Sequence, residues 1–349
     1  MSLYDRVRSL PLTVERSDAR GMQQVHGAFV RETTVVLLQG AGHEGVGEDV
    51  TYEAQDHPPF RERIGTLPLT GRFTVDTFSE RLDQVALFDP PATREPSADY
   101  RRWAFESAAL DLALRQAGRT LAEALGLTPQ PLRFVASLGL GHPPSLAQVH
   151  AMRAVVPGLE LKVDVGADWD EGLIAELAAT GAVRCLDLKG HYHGTPVDTD
   201  LSPDLCRRVA EAFPDCWLED PAPRPEILEA LDPFRNRLTW DAPIHSVDDI
   251  RAIEPVPKVM NFKPSRFGPA RRLFEAYDHC RDRGIGIYGG GQLEIGPGRG
   301  QIQYLASLLH PDAPNDVAPR EYNLPQRPST LPSSPLAPAP DHVGFRWTD

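Results

Sequence analysis

Charged residues recur along the middle of this chain at nearly constant spacing: Asp164, Asp187 with Lys189, Glu219 with Asp220, Asp241, and Lys263. The steps are 23, 32, 22 and 22 residues. Each position ends a short apolar run, as Leu186 precedes Asp187 and Phe262 precedes Lys263. A strand, its crossover helix and two short loops take about 20–30 residues. A single Asp after a strand is readily explained as the cap of the next helix. A regular series of charges is not, because charged side chains avoid apolar interiors. If the strands are parallel neighbours, the whole series points at one place.

Three of these carboxylates, Asp187, Glu219 and Asp241, would then converge from consecutive strands. Left bare, they would repel and raise one another's pKa. A divalent cation removes the repulsion, and all-oxygen ligands suit Mg²⁺, Mn²⁺ or Ca²⁺ rather than zinc. The next strand supplies Lys263, in Asn261-Phe262-Lys263-Pro264. A lysine beside a metal, walled by apolar side chains, can have its pKa lowered enough to act as a base. Metal plus lysine is the equipment for removing a proton α to a carboxylate.

The elements that must position these groups are legible from about residue 134. Apolar runs at 134–139, 159–165, 183–189, 216–220, 238–242, 259–263 and 285–288 alternate with helical patterns at 146–155, 169–179, 203–213, 226–234, 247–253, 269–281 and 298–309. A segment near Asp316 reads as an eighth strand. Eight βα-type units in a row predict an α/β parallel barrel, a modified TIM barrel. An open doubly wound sheet is the alternative, but the first βα turn lacks its glycine fingerprint.

The first third reads differently. A β-branched strand spans 28–39, with 10–14 as its pairing partner and 42–48 as a glycine turn; a helix spans 100–117 and ends at Gly118, and a further turn covers 121–125. The expected organisation is an α+β capping domain with its linking helix over 1–130, a barrel over 131–325, and a Pro-rich tail over 326–349. That tail should strap back onto the capping domain through Phe345 and Trp347. Substrate choice should lie in capping-domain loops at 17–25 and 53–67.

Composition excludes several classes. The 349 residues carry 36 Lys plus Arg against 49 Asp plus Glu, a net charge of −13. That is no footprint for nucleic acid or for an anionic membrane surface. No run approaches the roughly 18 apolar residues of a membrane span, and residues 1–16 show no secretory apolar segment. Four cysteines without a CxxC pair read as buried thiols in a reducing cytoplasm. The 34 prolines are about twice average usage, and many fall just past the proposed functional residues, as Pro221, Pro243 and Pro264 do.

On these residues the chain resembles the enolase superfamily, in its muconate-lactonizing-enzyme-like branch. Gly45-Val46-Gly47-Glu48 is similar to the family's capping-domain turn, and Ala104-Phe105-Glu106-Ser107-Ala108 with Leu110-Asp111 to its linking helix. Leu186-Asp187-Leu188-Lys189-Gly190 sits where the family has Asp-x-Asn. Trp217-Leu218-Glu219-Asp220-Pro221 and Asp241-Ala242-Pro243 match its fourth- and fifth-strand motifs, the latter without a frequent neighbouring carboxylate. The segment from Met260 to Gly268 is similar to the sixth-strand lysine motif. Gly290-Gly291-Gln292-Leu293-Glu294 with Gly298-Arg299 is similar to the o-succinylbenzoate synthase and N-acylamino acid racemase group. The resemblance implies a (β/α)₇β-like barrel, Mg²⁺ (or Mn²⁺) on Asp187, Glu219 and Asp241, and α-proton abstraction giving β-elimination (dehydration or cycloisomerization) or epimerization. It also implies a small carboxylic-acid substrate contacted by Asn261, Gly291, Glu294 and His191, and a homo-oligomer.

One departure stands out. The family's second strand carries Lys-x-Lys, where this chain has Lys162-Val163-Asp164. Residues two apart share a strand face, so Lys162 and Asp164 go together, as do Asp187 and Lys189. Three readings are open. Lys189 takes over the missing lysine's role with Asp164 as its partner; Asp164 is itself the acid–base group; or Lys263 suffices and Asp164 is structural. A two-base racemization loses most from the change.

Other features compete. Gly284 to Gly289 spells GxGxxG but occupies a strand instead of following one. Gly296-Pro297-Gly298-Arg299-Gly300 opens a helix, which suits a phosphate and so a sugar-phosphate barrel enzyme. A non-catalytic descendant is a third alternative. His191, Tyr192 and His193 follow the third barrel strand and either contact substrate or form a solvated loop. Trp103 and Trp169 read as packing residues.

Overall fold

The computed structural model describes residues 1–26, 29–192, 194–195 and 198–347. Ala28 and His193 lie outside the described residues. The N-terminal part holds two small antiparallel sheets. In one, β1 (Pro11–Val14) pairs along its length with β5 (Gly71–Thr74). In the other, β2 (Arg16–His26) and β4 (His43–Asp49) flank β3 (Phe29–Gly40). Two expectations are corrected here. The 10–14 strand takes β5 as its ladder partner, and the supposed loop at 17–25 is part of β2, paired with β3 from Arg16–Gln39 to His26–Phe29. β2 is polar along most of its length because it is an edge strand with much of its surface in solvent.

The supposed glycine turn at 42–48 is mainly strand β4; the turn itself is Ala41-Gly42, both in the left-handed region. The glycines of β4 serve the helix that crosses it, Ser97–Gln116. A Cβ on Gly47 would lie 2.0 Å from the Ala104 carbonyl oxygen, so only glycine lets strand and helix touch. The helix is buried almost throughout, including Trp103, and ends where Gly118 turns left-handed.

The barrel follows. Strands β6 (Ala136–Gly139), β7 (Leu161–Asp164), β8 (Val183–Asp187), β9 (Trp217–Glu219) and β10 (Leu238–Thr239) form one parallel arc in sequence order. Strands β11 (Val259–Phe262) and β12 (Gly286–Gly289) form a second parallel pair. The arcs join where the Asn261 amide donates to the Trp240 carbonyl at 3.0 Å. The ring closes through Asn315-Asp316: Asp316 bridges to Gly290 and Asn315 to Phe134. That short segment is the eighth stave, giving a (β/α)₇β-like barrel under an N-terminal α+β cap.

Two apolar cores hold the molecule. One packs the β6–β10 arc against its helices and contains Trp169. The other contains Val36, Phe105, Phe262, Leu273 and Tyr304, and so joins the cap to the β11–β12 arc. Phe345 and Trp347 belong to this second core, Phe345 edge-on to Trp103. The tail reaches them by pairing Leu336 with Leu132 and Gly344 with Thr120.

Candidate active site

The charged series does converge at the C-terminal end of the barrel. Parallel register aligns Asp164 with Asp187 and Asp187 with Glu219. Lys162 and Asp164 both turn inward. The Lys162 ammonium is buried against the Glu219 carboxylate, 3.3 Å from Asp187 Oδ2 and 3.6 Å from Asp316 Oδ2. Lys189 reaches Asp187 Oδ2 at 2.7 Å and Asp164 Oδ1 at 3.1 Å. Lys189 and Asp220, at the ends of neighbouring strands, both have positive φ, 53° and 51°. Such strain in non-glycine residues concentrates at functional sites.

Glu219 sits at the centre. Its Oε2 accepts from Asn261 Nδ2 at 3.0 Å and from the Tyr288 hydroxyl, with the Cys185 thiol 3.7 Å away. Asp220 holds the next strand end: Oδ1 accepts the Asp241 amide at 2.8 Å and Oδ2 the Ala242 amide at 3.0 Å. Asp241 Oδ2 gathers Lys263 Nζ at 2.8 Å, the Tyr192 hydroxyl at 3.0 Å and Arg266 Nη2 at 3.3 Å.

The electrostatics follow from burial and these neighbours. Burial pushes Glu219 up to about 8; Lys162 opposes this, and Asp187, Asp241 and Asp220 add to it. Burial, Asp241 and Asp187 push Asp220 up to about 7. Burial works against ionised Asp187, but Lys189 and Lys162 hold its carboxyl well below the usual range. Asp241 is likewise held low, despite burial, by Arg266 and Lys263. Burial raises Asp164, with Lys189 opposing.

The residues fit a divalent cation. Asp187, Glu219 and Asp220 each offer an oxygen within 4.8 Å of the others. The third carboxylate of this cluster is thus Asp220, where the sequence pointed to Asp241. Asp241 nevertheless keeps its Oδ1 buried and without a hydrogen-bond partner. In the ion-pair network, Asp164, Asp187, Glu219, Asp241 and Asp316 pair with Lys162, Lys189, Lys263 and Arg266. A divalent cation there would favour the ionised forms of Glu219 and Asp220, which burial and the neighbouring carboxylates disfavour.

The four expected substrate contacts fare differently. Asn261 turns its amide to Glu219. Glu294 folds back, accepting the Gln292 amide at 2.7 Å and pairing with Arg299 at 3.2 Å. Gly291 makes room for it, since a Cβ there would lie 2.3 Å from Glu294 Oε2. His191 is half-buried in the loop after β8.

The glycine turn that suggested phosphate is already filled. Glu48, from β4 of the cap, accepts the amides of Ile295, Gly296 and Gly298 at 2.9–3.0 Å, at the start of the Pro297–Leu309 helix. Its carboxylate takes the place an anion would have.

The sequence reading left Tyr192 undecided, named Asp220 only beside Glu219 in the charged series, and gave no part in the site to Arg266, Tyr288, Cys185 or Asp316. Period two would have found Cys185, which shares a strand face with Asp187. Tyr192 and Arg266 carry no spacing signal, because their loop and short helix bring them in.

The fold is that of capped-barrel enzymes of the enolase superfamily, and the chain is similar to members of its muconate-lactonizing-enzyme-like branch. Within that class, residues 5–124 match the family model described as Domain of unknown function (DUF8230) N-terminal domain, and residues 128–324 that described as its C-terminal domain. The chain belongs to that family. It is 27% identical to an N-succinylamino acid racemase of Thermus thermophilus, over 90% of this chain and 84% of that protein. It is 26% identical to an o-succinylbenzoate synthase of Geobacillus stearothermophilus, over 62% of this chain and 58% of that one. Among solved structures, a dipeptide epimerase from Enterococcus faecalis superposes with a TM-score of 0.70 at 17% identity, covering 97% of this chain and 100% of that one.

Proposed function

We propose that this protein uses a divalent cation, Mg²⁺ with Mn²⁺ as a substitute, to remove the proton α to the carboxylate of a small carboxylic acid. The carrying observation is that two lysines flank one acidic centre from different staves. Lys263 follows β11 and Lys189 follows β8, each bonded to a different carboxylate. Asp187, Glu219 and Asp241 would hold the cation. A bound divalent cation supplies positive charge where the substrate carboxylate gains electron density as the proton leaves.

Lys263, once its Nζ is unprotonated, takes the proton. Lys189 acts on the other face, with Asp164 as its counter-charge, which favours epimerization over a one-base elimination. Lys162 and Asn261 hold Glu219 in place. Residues 1–130 form the cap, 131–325 the barrel and 326–349 the strap in this reading. The four buried free thiols suit a reducing cytoplasm. Among the described residues no helix is long and apolar enough to cross a membrane. A homo-oligomer completes the proposal, and light scattering after size exclusion tests it.

The deciding experiment is deuterium wash-in from D₂O into a panel of N-acylamino acids and other carboxylates, with Mg²⁺ and then with EDTA. Wash-in that needs metal and Lys263 supports the reading. Wash-in that persists in Lys263→Ala removes that lysine from the chemistry. No wash-in into any acid favours a non-catalytic descendant. Wash-in at both faces marks epimerization, and at one face elimination.

A further inference from the structure

Asp241 is bonded unevenly. Three donors crowd Oδ2, while Oδ1 is buried without one. Two of those donors, Lys263 and Arg266, come from the segment just after β11. The third does not: Tyr192 lies in the loop after β8, on the far side of β9 and β10. Its hydroxyl donates to Asp241 Oδ2 at 3.0 Å and accepts from Arg266 Nη2 at 3.0 Å. Its ring lies beneath the Lys189 ammonium, 5.1 Å from the centroid. One side chain thus touches Lys189 and the carboxylate partner of Lys263, and through Arg266 bridges the two arcs of the mouth.

We infer that Tyr192 is a positioning residue that fixes the Asp241 carboxylate with Oδ1 left free as a ligand atom for a divalent cation. The inference rests on the metal site proposed above. A carboxylate can rotate about its Cβ–Cγ bond and exchange its two oxygens. Lys263 alone would follow that rotation, because a lysine stem is flexible. A rigid phenol tethered to Arg266 would not, so it sets which oxygen stays free. Partners of this kind, bonded to a ligand and not to the metal, typically change metal affinity by about 10–100-fold when removed.

The test is Mn²⁺ binding followed by the electron paramagnetic resonance signal of the free ion, with melting temperature recorded alongside. Tyr192→Phe keeps the ring and loses the hydroxyl. It should weaken Mn²⁺ binding about tenfold, with little change in melting. Placing 4-aminophenylalanine at position 192 restores a donor at similar reach and should recover most of the loss. A role in packing alone would show the reverse, unchanged binding in Tyr192→Phe and a loss on adding the polar amine. Binding in Tyr192→Phe within twofold of wild type, or no recovery with the amine, overturns the inference while the metal site stands. Binding that is absent from wild type, or unchanged in Glu219→Gln, overturns the metal site and the inference together.

Discussion

The two arcs of the barrel mouth carry the same kind of chemistry in different settings. On the β7–β8 side, Lys189 pairs with Asp187 and with Asp164, whose side chain is 34% exposed. On the second arc, Lys263 after β11 reaches across to Asp241 after β10, and Arg266 and Tyr192 enclose the pair. The first arc has its own apolar core, whereas the second shares its core with the cap. Charges can be exchanged between neighbouring strands where the wall is open, because solvent accommodates the change. On the closed arc each charge is fixed by several partners at once. In the proposed reading the lysine expected on the second strand is supplied by Lys189 after the third, and Lys263 keeps the place of the sixth.

The comparison breaks most sharply at Lys263. Replacing it with Ala should lower wash-in by roughly a thousandfold, within the range for a lost general base. A fall under tenfold would make the closed arc no more important than the open one. Next, Glu219→Gln should weaken Mg²⁺ binding in calorimetry by about 100-fold, because the variant side chain cannot carry the ligand charge. On the open arc, Lys189→Ala should cost about 100-fold at one face only. The paired change Asp164→Lys with Lys189→Asn should recover much of it by returning the lysine to the second strand. If the pair is no better than Lys189→Ala, the relocation reading is wrong.

Protons sharpen the same contrast. Glu219 and Asp220, pushed up to about 8 and 7, must lose protons before a cation replaces their neighbours' repulsion. Mg²⁺ affinity should therefore rise between about pH 6 and 8 and release protons, read by calorimetry in buffers of different ionisation heat. Without metal the sign for stability is opposite. Both groups titrate above their unfolded values near 4, so the native state holds the extra protons. Their contribution is full below about pH 4 and is lost as pH rises towards 8. The smallest expected effect is at the cap. Glu48→Gln should destabilise by about 2 kcal/mol, since a weaker acceptor replaces one that serves three buried amides; thermal melting checks this.

Much of this was legible in the sequence for a physical reason. A barrel strand is a short apolar run that must end in the chemistry, so Asp187, Glu219, Asp241 and Lys263 mark their own strand ends. β2 was hidden because a solvated edge strand needs no apolar alternation. β4 was hidden because its glycines, read as a turn, are there for helix contact. Asp220 stood in the charged series beside Glu219, but its place in the acidic cluster depends on a backbone turn, and Tyr192 as a bridge depends on a loop path that leaves no periodic trace. The glycine turn at 296–300 was seen, but its occupant, Glu48, lies about 250 residues away.

The strap has a consequence for the order in which the chain matures. Phe345 seats its amide on Asp111, 234 residues earlier, and its ring against Trp103. The core beneath the cap therefore joins residues as far apart in the chain as Tyr4 and Phe345. The core behind the β6–β10 arc also needs later residues, among them Ile302, Ala306 and Val317. The cap has to wait, with part of its apolar surface uncovered, until Trp347 has left the ribosome.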